Sequence, residues 1–151
     1  MEETELYFAF GSNLSARKMR GRGTRLISRE SAVLRGFRVI FCTWKDDGFG
    51  YANIIPDKES TVYGALYICL KGSLAKLDEH KAGRLRKVVV QVERKSGEIV
   101  HATAYQAYEE YVKEGLKTSQ IYFNEILEGQ DLIPKEYADY FRNFLCDKTE
   151  K

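Results

Sequence analysis

The stretch best suited to chemistry is Gly11-Ser12-Asn13, which follows directly on the apolar and aromatic run that begins at Leu6. A buried strand that ends in a glycine turn leaves several backbone N–H groups pointing one way, and these can hold a carboxylate or an oxyanion. The phosphate-loop and dinucleotide fingerprints are both missing from the sequence. Gly-Ser-Asn is also common turn chemistry. From these residues alone, a ligand-binding loop and an ordinary turn both remain open.

The sequence offers little to a metal or a redox cofactor. Its two histidines, His80 and His101, are far apart, and no Cys-x-x-Cys motif joins any of the three cysteines. Structural zinc sites need such ligands at close, regular spacing. We therefore expect no metal, no cofactor, and buried reduced thiols in a cytoplasmic protein.

Length and composition indicate a single domain over residues 1–151. Apolar residues make up 44% and charged residues 30% of the chain, as in soluble globular proteins. No apolar run approaches the roughly 18 residues that a membrane span requires. The N-terminus, Met-Glu-Glu-Thr-Glu, has no signal-peptide pattern.

Positive charge is concentrated between Arg17 and Arg38, where eight basic residues accompany one acid, Glu30. Such a stretch suits nucleic acid or an acidic small ligand. It is equally typical of a solvated loop followed by an amphipathic strand. Since no nucleic-acid-binding motif accompanies the charge, the sequence argues against a nucleic-acid partner.

The elements that must position the loop are strands with apolar residues on both faces. Strands are predicted at Glu5–Phe10, Leu34–Trp44, Tyr51–Ile55 (ended by Pro56), Thr61–Leu70, Lys87–Glu93 and Ile99–Tyr108. Helices are predicted after Ser12 or Asn13, after Ser73 through Lys81, after Thr118 or Ser119, and from Pro134. Two-sided apolar strands in so short a chain predict an α+β fold, a small mixed and mostly antiparallel β-barrel with packed helices.

The order of these pieces resembles a known family. Tyr7 to Leu14, reading Tyr-Phe-Ala-Phe-Gly-Ser-Asn-Leu, is similar to the Tyr-Phe-Ala-Tyr-Gly-Ser-Asn-Leu opening of the gamma-glutamylcyclotransferase family. The similarity continues to about Tyr140, through Ala52-Asn53-Ile54, Val62 to Tyr67, Leu74, Leu77-Asp78, Tyr122, Ile126, Gly129 and Leu132-Ile133-Pro134.

The resemblance implies a gamma-glutamylcyclotransferase-like barrel with the loop at the mouth of a pocket. Family members release 5-oxoproline, because the α-amine of a gamma-glutamyl compound attacks its own γ-carbonyl carbon and expels an amine. The tethered nucleophile removes the need for a metal or cofactor. The implied partner is a small molecule with a carboxylate, bound by Phe10, Gly11, Ser12, Asn13, Leu14 and Tyr122, with backbone N–H groups of Gly11 to Leu14 holding the α-carboxylate.

The sequence departs from the family at the catalytic base. The family carries a glutamate in Leu-Asp-x-x-Glu-Gly, whereas this chain reads Leu77-Asp78-Glu79-His80-Lys81-Ala82, so Lys81 stands at the glutamate position. A lysine has a reference pKa of about 10.4 and is charged at neutral pH, so it cannot take up a proton there. His80 titrates near neutrality and is the better chemical candidate. Glu79 supplies a carboxylate only if the turn is remodelled, since helical geometry points it away.

Two readings of function follow. In the first, the chain is an enzyme, with His80 or Glu79 acting as base on a gamma-glutamyl amine or dipeptide. In the second, it is a non-catalytic relative that binds an anionic small molecule in the same pocket, with Lys81 as counter-charge. The sequence leaves the ligand and the oligomeric state open.

Overall fold

The structure, a computed structural model, describes residues 3–42, 47–79, 84–112 and 115–146. Over these ranges the chain forms five strands and four α-helices. The strands are β1 (Thr4–Ala9), β2 (Leu26–Cys42), β3 (Tyr51–Leu70), β4 (Leu85–Arg94) and β5 (Ile99–Ala107). The helices are α1 (Ala16–Gly21), α2 (Ser73–Asp78), α3 (Gln120–Leu127) and α4 (Lys135–Arg142). Short 3₁₀ helices occupy Ser12–Leu14, Glu109–Tyr111 and Gln130–Leu132.

The strands close into a barrel in the order β1-β3-β2-β4-β5. Neighbouring strands run antiparallel except at the closing seam, where β1 lies parallel to β5 and Tyr7 pairs with Thr103. Successive side chains of β1 and β3 point alternately to the two sides of the barrel wall. The side chains on both sides are buried where helices cover the wall. The predicted α+β barrel is thus confirmed.

Aromatic side chains of α4 pack against the barrel wall. Phe141 is fully buried against Phe41 of β2, with ring centroids 5.8 Å apart, and Tyr137 contacts Tyr63 of β3 at 5.0 Å. These edge-on contacts attach α4 to the β2–β3 pair.

Strand boundaries differ from the prediction in two places. β2 begins at Leu26 rather than Leu34, because its first half pairs with β3 despite the polar residues that it carries. β3 runs unbroken through Pro56, which was expected to end it. Pro56 lies opposite Phe37, next to a register shift that starts at Arg35, and an irregular ladder tolerates a residue without an N–H.

Two predicted helix caps were also wrong. The residues Ser12–Leu14 are taken up by a 3₁₀ turn, so the N-cap of α1 is Ser15, whose hydroxyl oxygen accepts the N–H of Lys18 at 3.0 Å. Ser73 lies inside α2, and its Oγ accepts the N–H of Arg25 at 3.0 Å. The predicted Ser119 cap of α3 is confirmed.

A salt bridge supports a short seam of the barrel, where β2 pairs with β4 only at Ala32 and Val33. Arg94 donates to both oxygens of Glu30, at 3.0 and 2.8 Å, and this bond holds the pKa of Glu30 below its ordinary value of 4.5. A lowered carboxyl pKa gives stability that is complete above the unfolded pKa and is lost as pH falls through the folded one.

We therefore expect Glu30→Gln to lower the free energy of unfolding by about 1 kcal/mol or less at pH 7. Urea titrations of both proteins at pH 7 and at pH 3 measure this, and the difference between them should shrink at pH 3. If the two proteins differ in free energy of unfolding by the same amount at both pH values, the charge of Glu30 does not cause the difference.

Candidate functional site

One pocket gathers the loop that the sequence singled out. Its lining includes Phe10, Gly11, Ser12, Asn13 and Tyr122, all of which were predicted to bind ligand. The other lining residues are Tyr7, Lys18, Arg22, Tyr51, Ala52, Leu85 and Tyr105. The end of β1, α1, α3 and the barrel wall thus meet around the Gly-Ser-Asn turn.

The turn itself is a single 3₁₀ turn with its carbonyls tied down. Leu14 donates its N–H to the Gly11 carbonyl at 2.9 Å, so this N–H is not available to a ligand. Tyr67 donates its hydroxyl to the Asn13 and Leu14 carbonyls, at 2.7 and 3.1 Å. Within the described ranges, the N–H groups of Gly11 and Asn13 have no recorded acceptor. They are the backbone donors that remain for a carboxylate or oxyanion.

Tyr122 of α3 lies directly against the loop. Its hydroxyl oxygen accepts the N–H of Ala52 at 3.0 Å, and a Cβ added to Gly11 would lie only 2.6 Å from that oxygen. Burial raises the pKa of Tyr122 to about 12. The hydroxyl therefore keeps its proton at neutral pH. The oxygen accepts from Ala52 and also interacts with the backbone N–H and the hydroxyl of Ser12, so its own proton is what it can offer to a ligand in the pocket.

A second set of hydroxyls lies on the barrel wall. Asn13 donates its side-chain N–H to Tyr7 Oη at 2.9 Å, and the ring of Tyr105 meets that of Tyr7 edge-on at 5.8 Å. Tyr105 donates its hydroxyl to Asp78 at 2.5 Å. Burial, followed by this hydrogen bond, raises the pKa of Tyr105 above its ordinary value. Asp78 also forms an ion pair with Lys87 at 2.9 Å. Its carboxylate is connected to the pocket by the hydrogen bond from Tyr105, which lines the pocket.

The remaining wall is positively charged. Lys18 donates to Ser12 Oγ at 2.7 Å and pairs with Glu125 at 2.9 Å, in a position where both side chains are mostly buried. Arg22 follows Lys18 by one helical turn and also lines the pocket. This side of the site favours a ligand that carries negative charge.

The structure separates the predicted catalytic candidates. Glu79 is exposed at the end of α2, 4.0 Å from Lys76, and it is not among the described residues that line the pocket. His80 and Lys81 lie outside the described residues. Leu14 is fully buried behind the loop and contributes packing rather than a wall of the pocket.

Sequence reasoning missed several lining residues. Tyr7, Tyr51 and Tyr105 were interpreted as strand packing, because buried aromatic residues alternate in strands whether or not they border a ligand. The four-residue spacing of Lys18 and Arg22 does indicate a shared helix face, but it lies within a stretch that was interpreted as solvated. In the described part of the chain, no three His, Cys, Asp or Glu side chains cluster in a way that could hold a metal ion.

A closed barrel of five strands, with the Gly-Ser-Asn turn at a polar pocket, defines the class of this protein. The family model described as gamma-glutamyl cyclotransferase, AIG2-like, matches residues 7–124. The chain belongs to this family.

Solved structures agree with that assignment. A structure described as gamma-glutamyl cyclotransferase is 25% identical, with a TM-score of 0.84, over 99% of this chain and 93% of that one. An uncharacterized human protein is also 25% identical, with a TM-score of 0.81, over 99% and 94% of the two chains. A yeast gamma-glutamyl cyclotransferase described as specific to glutathione shares the fold, at 12% identity and a TM-score of 0.61, over 95% of this chain and 98% of that one. Among curated proteins, none matches this sequence.

In the described ranges, no helix combines the length and apolar character needed to cross a bilayer.

Proposed function

We propose that this protein is a gamma-glutamyl cyclotransferase that releases 5-oxoproline from a gamma-glutamyl amine or dipeptide. The observation that carries the proposal is the meeting of the Gly11–Asn13 donors with the Tyr122 hydroxyl in one pocket. The reaction needs a held α-carboxylate, a stabilised oxyanion and an acceptor for one proton. Its nucleophile is part of the substrate, so positioning supplies much of the rate.

The steps assign separate tasks to these groups. The backbone N–H groups of Gly11 and Asn13 hold the α-carboxylate. The substrate's amine forms a bond to the γ-carbonyl carbon, and the carbonyl oxygen gains negative charge. The Tyr122 hydroxyl donates to that oxygen in the transition state. The bond to the leaving nitrogen then breaks, and that nitrogen takes up the proton given up by the attacking amine.

The proton needs a temporary carrier, because the family's glutamate position holds Lys81. His80 and Glu79 remain the candidates on the same segment. The described residues add a further route through Tyr105, which lines the pocket and already donates to Asp78. A proton passed to Tyr105 Oη as its own proton moves to Asp78 leaves the charges balanced. Cys42 and Cys69 are buried and form no disulfide, which fits a reducing compartment such as the cytoplasm.

The second candidate is a non-catalytic receptor for an anionic small molecule. Arg22 in the pocket wall favours it, since a charge that lines a pocket gains from an opposite charge on the ligand. The basic stretch as a whole gives less support to nucleic-acid binding. Five of its eight cations pair with acids of the same chain, namely Arg17, Lys18, Arg29, Arg35 and Arg38.

Measuring 5-oxoproline across a panel of gamma-glutamyl amines and dipeptides tests the choice between the two. Release well above the background rate is expected if the pocket supports catalysis without the family's glutamate. Silence in the native protein, together with release by Lys81→Glu, would show that the chain binds but does not turn over. If the protein binds RNA or DNA and this binding weakens as the salt concentration rises, nucleic acid would instead be the favoured partner.

A further inference from the structure

We infer that Arg22 selects gamma-glutamyl compounds whose leaving group carries a negative charge, as in a gamma-glutamyl α-amino acid with a free carboxylate. The inference rests on the proposed function and specifies its substrate class. It starts from a charge in the pocket that the proposed chemistry leaves unused.

Lys18 and Arg22, the two cations that line the pocket, differ in the partners that the protein gives them. Lys18 pairs with Glu125 and donates to Ser12 Oγ, so its charge is balanced by the protein. Arg22 lines the same pocket, is partly buried, and has no recorded ion pair with any described residue. A guanidinium presents a planar fork of donors that matches a carboxylate. The charge of Lys18, which Glu125 balances, therefore has a structural role. The charge of Arg22 is the one that we infer binds a ligand.

The position of Arg22 fixes which part of the ligand it meets. Lys18 contacts the Gly-Ser-Asn loop through Ser12, whereas Arg22, four residues later, is the C-cap residue of α1. Residues four apart on a helix are separated by roughly 5–6 Å at Cβ. With the α-carboxylate held at the loop, Arg22 meets the opposite end of the substrate. That end is the leaving group, so a carboxylate there gains the charge-assisted bond and a neutral amide does not.

The test uses two compounds of nearly equal shape, gamma-glutamyl-alanine and gamma-glutamyl-alaninamide, which differ by one charge. Calorimetry gives a Kd ratio, and 5-oxoproline release gives a ratio of kcat/KM. The native protein should favour the anionic compound by about tenfold or more, the size expected for a hydrogen bond to a charged group. Arg22→Gln should bring both ratios close to one.

Arg20→Gln is the matched control, because Arg20 lies exposed on the same helix and does not line the pocket. It removes the same charge and should keep the native ratios. Arg22→Lys should retain part of the preference, which a purely structural role for Arg22 would not predict.

A native ratio near one, or a preference that survives Arg22→Gln, would overturn the inference. Equal loss in Arg20→Gln and Arg22→Gln would also overturn it, since the cause would then be net charge alone. If the native protein releases no 5-oxoproline, the proposed enzyme fails and the Kd ratio still decides the role of Arg22. If neither compound binds, both proposals fail.

Discussion

Replacing Gly11 by alanine is expected to abolish most ligand binding and turnover while the barrel remains folded. An added Cβ would lie 2.6 Å from Tyr122 Oη and 2.9 Å from the Ala52 side chain, both shorter than normal contacts. The Tyr122 hydroxyl must move, and with it the acceptor of the Ala52 N–H. A displacement of about 1 Å in a positioned group lowers rates by about a hundredfold. The kcat/KM for 5-oxoproline release and the Kd from calorimetry measure the loss.

Gly21→Ala is the control for this substitution. Gly21 ends α1, and no heavy atom lies within 4 Å of a Cβ built there. An alanine in the helix should leave binding unchanged and raise the free energy of unfolding by up to about 1 kcal/mol. If Gly11→Ala binds and turns over ligand within about twofold of the native protein, the loop and Tyr122 do not form the site.

The barrel and the loop could be predicted from sequence because their signals are local. Apolar residues on both faces of Thr61–Leu70 indicate a strand that is covered on both sides, and that strand packs as expected. The first half of β2 could not be found in this way. Ser28, Arg29 and Glu30 interrupt the apolar pattern, and what holds them in the strand is pairing with Ile68, Tyr67 and Leu66 of β3. Such pairing depends on residues far away in the chain.

The site shows the same division between local and long-range information. The Gly-Ser-Asn turn is visible as a motif, and Tyr122 entered through the family resemblance. Tyr105 and Asp78 could not be linked from sequence, because 27 positions separate them and only the barrel brings them to a 2.5 Å hydrogen bond. The backbone donors proposed to hold the substrate therefore come from one contiguous turn, whereas Tyr122, Tyr105 and Asp78 come from separate elements.

This division bears on how the family's chemistry can survive a lost glutamate. Lys87 pairs with Asp78 at 2.9 Å and lies across the β4–β5 ladder from Tyr105. Asp78 accepts from the Tyr105 hydroxyl and pairs with Lys87, which is the arrangement that the proposed proton route through Tyr105 requires.

Replacing Gly64 by alanine should produce a large loss of stability. Gly64 lies within β3, opposite Ala32 of β2. Its neighbours approach closely, because a Cβ built there would lie 2.2 Å from the Ala9 carbonyl oxygen and 2.9 Å from the Phe8 ring. A carbonyl in the β1–β3 ladder cannot rotate away as a flexible side chain can, so one strand must shift.

We expect Gly64→Ala to lower the free energy of unfolding by about 3 kcal/mol or more, at the upper end of overpacking effects. That is a large part of the roughly 5–15 kcal/mol that holds a typical domain folded. Urea unfolding followed by circular dichroism measures the loss, and Gly21→Ala again supplies the same chemical change without a neighbour. A loss below about 1 kcal/mol would mean that β1 and β3 can separate at Ala9 without cost. In that case the loop that follows Ala9 would not be held in place by the barrel, and the rigid positioning of Gly11 against Tyr122 would need another source.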